Sequence, residues 1–188
     1  TESMIENEIG ALTACNHKNV TKIHYVFRTK PSLHLYLEYL PGPNLWNFFE
    51  NKTECLEESE AVPILAEISL GLHHIHERGY IHRDIKTENC IFDGNGMIKV
   101  ADFGTSATGP IRRDEFEFGT LLFSAPELIE DLGETHGYLA DWWSVGIIIF
   151  ELLEGEPPFT SSEDSEAEIE NKIMNIEIDY SSLDLSEE

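Results

Sequence analysis

The sequence predicts an α+β chain in two unequal parts, a small β-containing piece over residues 1–40 and a larger, mainly helical piece over residues 41–188. Three observations predict it. A helix-period stretch and two short strand-like runs precede residue 40, Pro41-Gly42-Pro43 then breaks the chain, and beyond it the apolar residues recur mostly at helical spacing.

Met4, Ile5, Glu8, Ile9 and Leu12 stand at helical spacing, so residues 2–14 read as a helix with an apolar stripe and Glu8 beside it. After a turn at His17 to Asn19, residues 23–27 and 33–39 read as strands, with Pro31 punctuating the link between them. Residues 45–49 suggest a short helix. Residues 59–77 suggest a longer one, with Val62, Leu65, Ala66, Ser69, Leu72 and Ile75 along one side and Gly79 as its stop. Residues 90–92 and 97–100 flank Asp93-Gly94-Asn95-Gly96, a hairpin signal. Residues 139–153 are mostly apolar and read as a buried helix ended by Gly155 and Pro157-Pro158. Ile169, Ile173 and Met174 mark a last helix in an acidic setting.

With 41% hydrophobic and 10% aromatic residues among 188, the chain can bury a core, and its length fits one domain. The longest apolar stretch, residues 145–153, is interrupted by Gly146 and Glu151 and is too short to span a bilayer. No signal-peptide pattern opens the sequence, so the expectation is a cytoplasmic protein with no membrane span. Cys15, Cys55 and Cys90 are far apart and odd in number, which disfavours a disulfide framework and a zinc site. The 36 acidic and 12 basic residues give a net charge of −24, the wrong sign for non-specific nucleic-acid binding. A basic partner is the natural complement, although solubility alone accounts for most of these acids.

His82-Arg83-Asp84-Ile85-Lys86-Thr87-Glu88-Asn89 lies between the long helix and the hairpin, Asp102-Phe103-Gly104 follows the hairpin, and Ala125-Pro126-Glu127 comes later. In that order and context the three motifs resemble those of eukaryotic-type serine/threonine protein kinase catalytic domains. The resemblance implies the two-lobed α+β kinase fold, with a small lobe truncated to one helix and two strands and a mainly helical large lobe lacking its last helices. It also implies transfer of the γ-phosphoryl group of Mg-ATP to a protein hydroxyl, through a loose transition state that needs positioning and charge neutralisation. Asp84 is then the base-like residue, Asn89 and Asp102 the Mg²⁺ ligands, and Lys86 the cation that meets the moving phosphoryl group. Lys86 and Gly119-Thr120 resemble serine/threonine rather than tyrosine kinases, and Thr120 is implied to bridge Asp84 and Lys86.

The resemblance extends over nearly the whole chain. Glu8 is similar to the helix glutamate that pairs with a small-lobe lysine, and residues 33–40 to the last small-lobe strand and the hinge between lobes. Leu37, Glu38 and Leu40 are implied in adenine binding, Leu45 and Ile91 in the floor of that pocket, and Asn44 at a position where relatives place a ribose-binding acid. Leu12, Ile23, His82 and Phe103 resemble the side-chain stack that ties both lobes together, which is also ordinary core packing. Asp141 is implied to hold the backbone of the catalytic loop, Arg83 to receive a loop phosphate, and Glu127 to be structural. The double tryptophan Trp142-Trp143 resembles the cyclic-nucleotide-dependent and protein kinase C-like group. Glu88 and Glu151 match acids with which basophilic relatives hold arginines of a substrate, or else they are generic surface or helix-face acids.

Some readings stay open on the sequence alone. His73, His74 and His76 invite a metal site, but adjacent histidines leave a helix on different faces, and a place near a helix end explains them as well. A catalytically silent kinase-like scaffold would be expected to lose Asp84, Asn89 or Asp102, and a small-molecule phosphotransferase would lack Gly119-Thr120, Ala125 to Glu127 and Asp141 to Gly146; all are present. No G-x-G-x-x-G precedes Glu8, and Ser186-Glu187-Glu188 resembles a helix cap, so the expectation is a fragment, inactive by itself, of a larger catalytic domain whose regulatory partner is unknown. Phe116 stands where that group carries a phosphorylatable threonine. Glu115 or Glu117 is expected to replace its phosphate, or Thr105, Ser106 or Thr108 to act as switches.

Overall fold

In the computed structural model the apolar periodicity at the start of the chain becomes helix α1, Glu2–Ala14, with Ala11 and Leu12 buried and Ile5 turned to the outside. The structure describes residues 2–50, 55–109, 120–129, 137–159, 164–175, 177, 178 and 180. Strand β1, Ile23–Arg28, pairs antiparallel with β2, Leu33–Leu37, and Thr29 N–H donates to the Ser32 carbonyl at 2.8 Å to close the turn. Strand β2 ends at Leu37 instead of Tyr39. Glu38 N–H still donates to the Lys22 carbonyl at 2.8 Å, but Lys22 N–H donates to the Glu38 carboxylate at 2.7 Å instead of to its backbone carbonyl, and the ladder stops there.

Helix α2, Leu45–Glu50, starts at Asn44, whose side-chain Oδ1 accepts the Asn47 N–H at 2.8 Å. Helix α3, Glu58–Glu77, buries Ala61, Ile68, Gly71, Leu72 and Ile75. The predicted stripe is therefore rotated by about one position: Val62 and Ala66 are exposed, and Leu72 and Ile75 are shared by both descriptions. Small residues such as Ala66 and Ser69 fit either face, so the sequence did not fix the rotation and the packing of Ile68 did. Short strands β3, Tyr80–Ile81, and β6, Ala107–Thr108, pair with each other, as do β4, Cys90–Phe92, and β5, Ile98–Val100. Two 3₁₀ turns, Thr87–Asn89 and Leu121–Phe123, precede β4 and helix α4, Pro126–Ile129.

Helix α5, Leu139–Glu154, places Val145, Ile147, Ile148 and Leu152 in one core with Ile68, Leu72 and Ile75 of α3. It ends at Gly155, whose φ of +92° is the left-handed conformation that glycine adopts without strain. Helix α6, Glu166–Asn175, begins at Ser165, which donates N–H and O–H to Glu168 at 2.8 and 2.6 Å. No described helix is long and apolar enough to cross a membrane.

Residues 15–22 pack against α3 and β5. A β-carbon on Gly71 would lie 2.5 Å from the Asn19 carbonyl oxygen, so α3 touches this segment backbone to backbone. Asn19 Nδ2 donates to Ile98 O at 2.8 Å, and Val100 N–H donates to Asn19 O at 2.9 Å. His17 and His74 stack with ring centroids 5.1 Å apart, His17 Nδ1 accepting Asn19 N–H and His74 Nε2 accepting Asn16 N–H, both at 3.2 Å.

Both acceptor nitrogens must be unprotonated, and both imidazoles have lowered pKa values. Desolvation is the main cause for each, followed for His17 by His74, Lys18 and Lys99 and for His74 by Arg78 and His73, against Glu77. The unfolded chain therefore takes up these protons first, and their contribution to stability is present above the ordinary imidazole value of about 6.5 and is lost as pH falls through the depressed folded values. A His74→Gln variant keeps an acceptor for Asn16 without a titrating ring. Thermal melts between pH 7.5 and 5, at values about half a unit apart, are expected to give it a flatter pH dependence than the unsubstituted chain.

Candidate active site

The sharp turn at residues 82–89 gathers four polar side chains. Asp84 Oδ2 lies 3.0 Å from Lys86 Nζ and accepts Asn89 Nδ2–H at 3.1 Å, and Asp84 Oδ1 accepts the Thr120 hydroxyl at 3.1 Å. Lys86 Nζ also donates to Thr120 Oγ1 at 2.8 Å, so Thr120 bridges the acid and the lysine. Asn89 is nearly buried, and its amide NH₂ also reaches the Asp84 carbonyl at 2.8 Å. That commitment of the nitrogen fixes the amide orientation and leaves the harder oxygen, Oδ1, as its outward group.

Helix α5 holds this turn from below. Asp141, buried in the first turn of α5, accepts His82 N–H at 2.9 Å through Oδ2 and Arg83 N–H at 2.8 Å through Oδ1. His76 of α3 brings Nε2 to 2.7 Å from Asp141 Oδ2. Arg83 has φ +70°, a conformation that a side chain disfavours, and the two amide bonds to Asp141 compensate for it. Its Nε donates to the Thr105 carbonyl, and Thr105 Oγ1 donates back to His82 O at 3.0 Å, which ties the segment after Asp102 to the turn. The fully buried His82 packs edge-on against Phe103, centroids 5.0 Å apart. Burial lowers its pKa, outweighing Asp141 and the Ala101 hydrogen bond, so the ring is neutral; Nε2–H donates to Ala101 O at 3.1 Å and Nδ1 faces Asp84 N–H at 3.4 Å. Sequence reasoning assigned the Asp141 role but read His76 only as one of three histidines near a helix end, not as a partner of Asp141.

Asp102 also has a left-handed backbone, φ +62°, and its Oδ1 accepts Gly104 N–H at 3.2 Å. Glu8, on α1, is half-buried. Its pKa is raised, chiefly by desolvation and then by the Asp102 charge. In the hinge, Leu37 is exposed, Glu38 and Leu40 are half-buried, and Ile91 is half-buried and bridged to Asn44. Leu45 is fully buried in the core. Asn44 Oδ1 is taken by the helix cap, which leaves its NH₂ as the group for a ligand.

The two acids expected to meet a basic substrate are placed differently from each other. Glu88 is exposed, whereas Glu151 is only 2% exposed and accepts the Thr87 hydroxyl at 3.1 Å, so it is neither a surface acid nor open to a guanidinium. The Glu151 pKa is pushed up to about 7, by desolvation first and by Glu88, against the Thr87 hydrogen bond. A raised folded value means that the protonated form stabilises the fold at low pH and that this contribution is lost as pH rises through about 7. Glu151→Gln keeps the Thr87 acceptor without the charge. It is expected to melt like the unsubstituted chain near pH 4.5 and to be more stable by about 2–3 kcal/mol above pH 8, measured by denaturant titration at both values.

Glu127 is half-buried in the first turn of α4, away from the Asp84 cluster. His73 faces Glu77, 3.5 Å away, while His74 and His76 engage His17 and Asp141, so the three histidines serve three separate contacts. Asp114, Glu115, Phe116, Glu117, Gly119 and Ser186 to Glu188 lie outside the described residues.

Residues 1–187 match the family described as protein kinase domain. Among similar proteins, the Citron rho-interacting kinase of Rattus norvegicus is 36% identical over 181 residues, covering 93% of this chain and 9% of the relative. The ribosomal protein S6 kinase alpha-1 of the same organism is 40% identical over 161 residues, covering 85% of this chain and 22% of the relative. The ribosomal protein S6 kinase 2 alpha of Gallus gallus is 39% identical over 164 residues, with 86% and 21% covered. The chain thus spans a quarter or less of the length of these relatives.

Proposed function

The chain belongs to the protein kinase domain family, and from that premise we propose that it supplies the catalytic loop, hinge and substrate-docking region of a protein serine/threonine kinase using Mg-ATP. The observation that carries this reading is the Asp84 carboxylate held between Lys86, Thr120 and Asn89. Asp84 accepts the proton of the substrate hydroxyl while the hydroxyl oxygen bonds to the γ-phosphorus and the bond from that phosphorus to the bridging oxygen of ADP breaks. Lys86 follows the charge on the phosphoryl oxygens, and Thr120 keeps acid and lysine in register. The Asn89 oxygen and the Asp102 carboxylate are hard donors of the kind Mg²⁺ takes, so the residues present fit that ion. When bound there it neutralises phosphate charge.

Leu37, Glu38, Leu40 and Ile91 are assigned to adenine, and the Asn44 amide to the ribose. Glu8, half-buried on α1, is assigned to a lysine ammonium by the family resemblance. Glu88, exposed beside the catalytic turn in a chain of net charge −24, is assigned to basic residues of a protein substrate, with Glu151 buried behind it. A cytoplasmic setting fits this substrate class. The test is an oriented peptide library presented with Mg-ATP to the protein at its full natural length. Phosphorylation of Ser and Thr but not Tyr, with Arg or Lys selected upstream, is expected. Nucleotide binding without phosphoryl transfer would favour a scaffold instead.

A further inference from the structure

The segment from Glu38 to Asn44 runs along the β4–β5 hairpin and is held to it at two places by different chemistry. At the far end the bonds are backbone: Gly42 N–H donates to Phe92 O at 3.1 Å, Phe92 N–H donates to Pro43 O at 3.0 Å, and Asn44 bridges Ile91. At the near end a side chain crosses instead. Lys99 of β5, directly opposite Ile91 in the ladder, places Nζ 3.0 Å from Glu38 Oε1, with both side chains largely buried. The same Glu38 oxygen accepts Lys22 N–H at 2.7 Å. One carboxylate therefore ties the hinge to β5 and to the segment before β1. Lys99 is also three residues before Asp102, on the strand that delivers it.

We propose that Lys99 is a positioning residue for nucleotide binding, its ion pair with Glu38 setting the hinge against the strand that leads to Asp102. This rests on the kinase reading above. A lysine that only offset its own burial would need any nearby carboxylate; the shared Glu38 oxygen instead fixes where the hinge begins relative to Ile91. Removing the cation leaves Glu38 largely buried, with the Lys22 amide and no counter-charge, and the segment shifts to regain water. Lys99 does not touch the Asp84 cluster in any described contact, so the effect falls on nucleotide affinity and not on the transfer step.

The experiment compares the full-length protein with its Lys99→Met and Lys99→Arg variants, by calorimetric titration with Mg-ATP and by steady-state peptide phosphorylation, at a temperature where each is folded. Lys99→Met is expected to bind Mg-ATP about tenfold more weakly with kcat within about twofold, and Lys99→Arg to restore most of the affinity. Lys99→Gln, which can still donate to Glu38 without the charge, replaces Lys99→Met if the latter does not fold, with the same split expected. Equal affinity in Lys99→Met and the unsubstituted protein overturns the proposal, as does a loss confined to kcat or an arginine variant no better than methionine. Absence of nucleotide binding in the unsubstituted protein overturns the kinase reading, and this inference with it.

Discussion

In the protein at its full natural length, Asp84→Asn is expected to lower kcat for peptide phosphorylation by about 10²–10⁴-fold, with little change in the KM for ATP. The substitution keeps the shape that meets Lys86, Thr120 and Asn89 but removes the negative charge and the proton acceptor. The Lys86 ammonium then has no counter-ion within that cluster and stays partly hydrated, so the fold is not expected to change by more than about 1 kcal/mol. Steady-state kinetics with a serine peptide, beside a thermal melt, separate the two effects. Activity within about threefold of the unsubstituted protein, at unchanged stability, would remove Asp84 from the chemistry.

Asp141→Ala has the largest expected effect on stability. It takes away the acceptor of His82 N–H and Arg83 N–H and the partner of His76, all at 2.7 to 2.9 Å and mostly buried. Buried donors left unpaired cost about 1–3 kcal/mol each, with partial relaxation, so a loss of about 3–5 kcal/mol is expected, or roughly 10 °C in Tm for a domain of this size. Activity should fall as well, because Arg83 keeps its φ of +70° only while both amides are held. His76→Gln, which can still donate to Asp141, should lose far less. Urea titration of the three proteins checks the order, and an Asp141→Ala protein that unfolds within about 1 kcal/mol of the unsubstituted one would show that the catalytic turn is held by other contacts.

Much of the architecture was legible because it rests on local rules. The α1, β1, β4–β5 and α5 segments lie within a residue or two of where periodicity and turn residues put them, and Gly155 ends α5 in the conformation that its type allows. Less was legible where two segments compete for one face. The rotation of α3 depends on Ile68 meeting the core that α5 supplies, and β2 stops early because the Glu38 side chain takes the Lys22 N–H that a ladder carbonyl would have accepted.

The sequence by itself determined the family, the order of the chemical motifs and which polar residues belong to them, since those follow from residue type and spacing. Only the tertiary structure decided that Asn89 donates to Asp84 beside the Lys86–Thr120 bridge, that His76 completes the support of Asp141, and that Glu151 is a buried acid with a pKa pushed up to about 7 while Glu88 remains exposed. It also decided that Lys99 reaches Glu38 across the hinge. The physical reason is common to all of these. Desolvation and hydrogen-bond geometry are properties of the neighbours a side chain meets, and here those neighbours lie as many as 65 positions away along the chain.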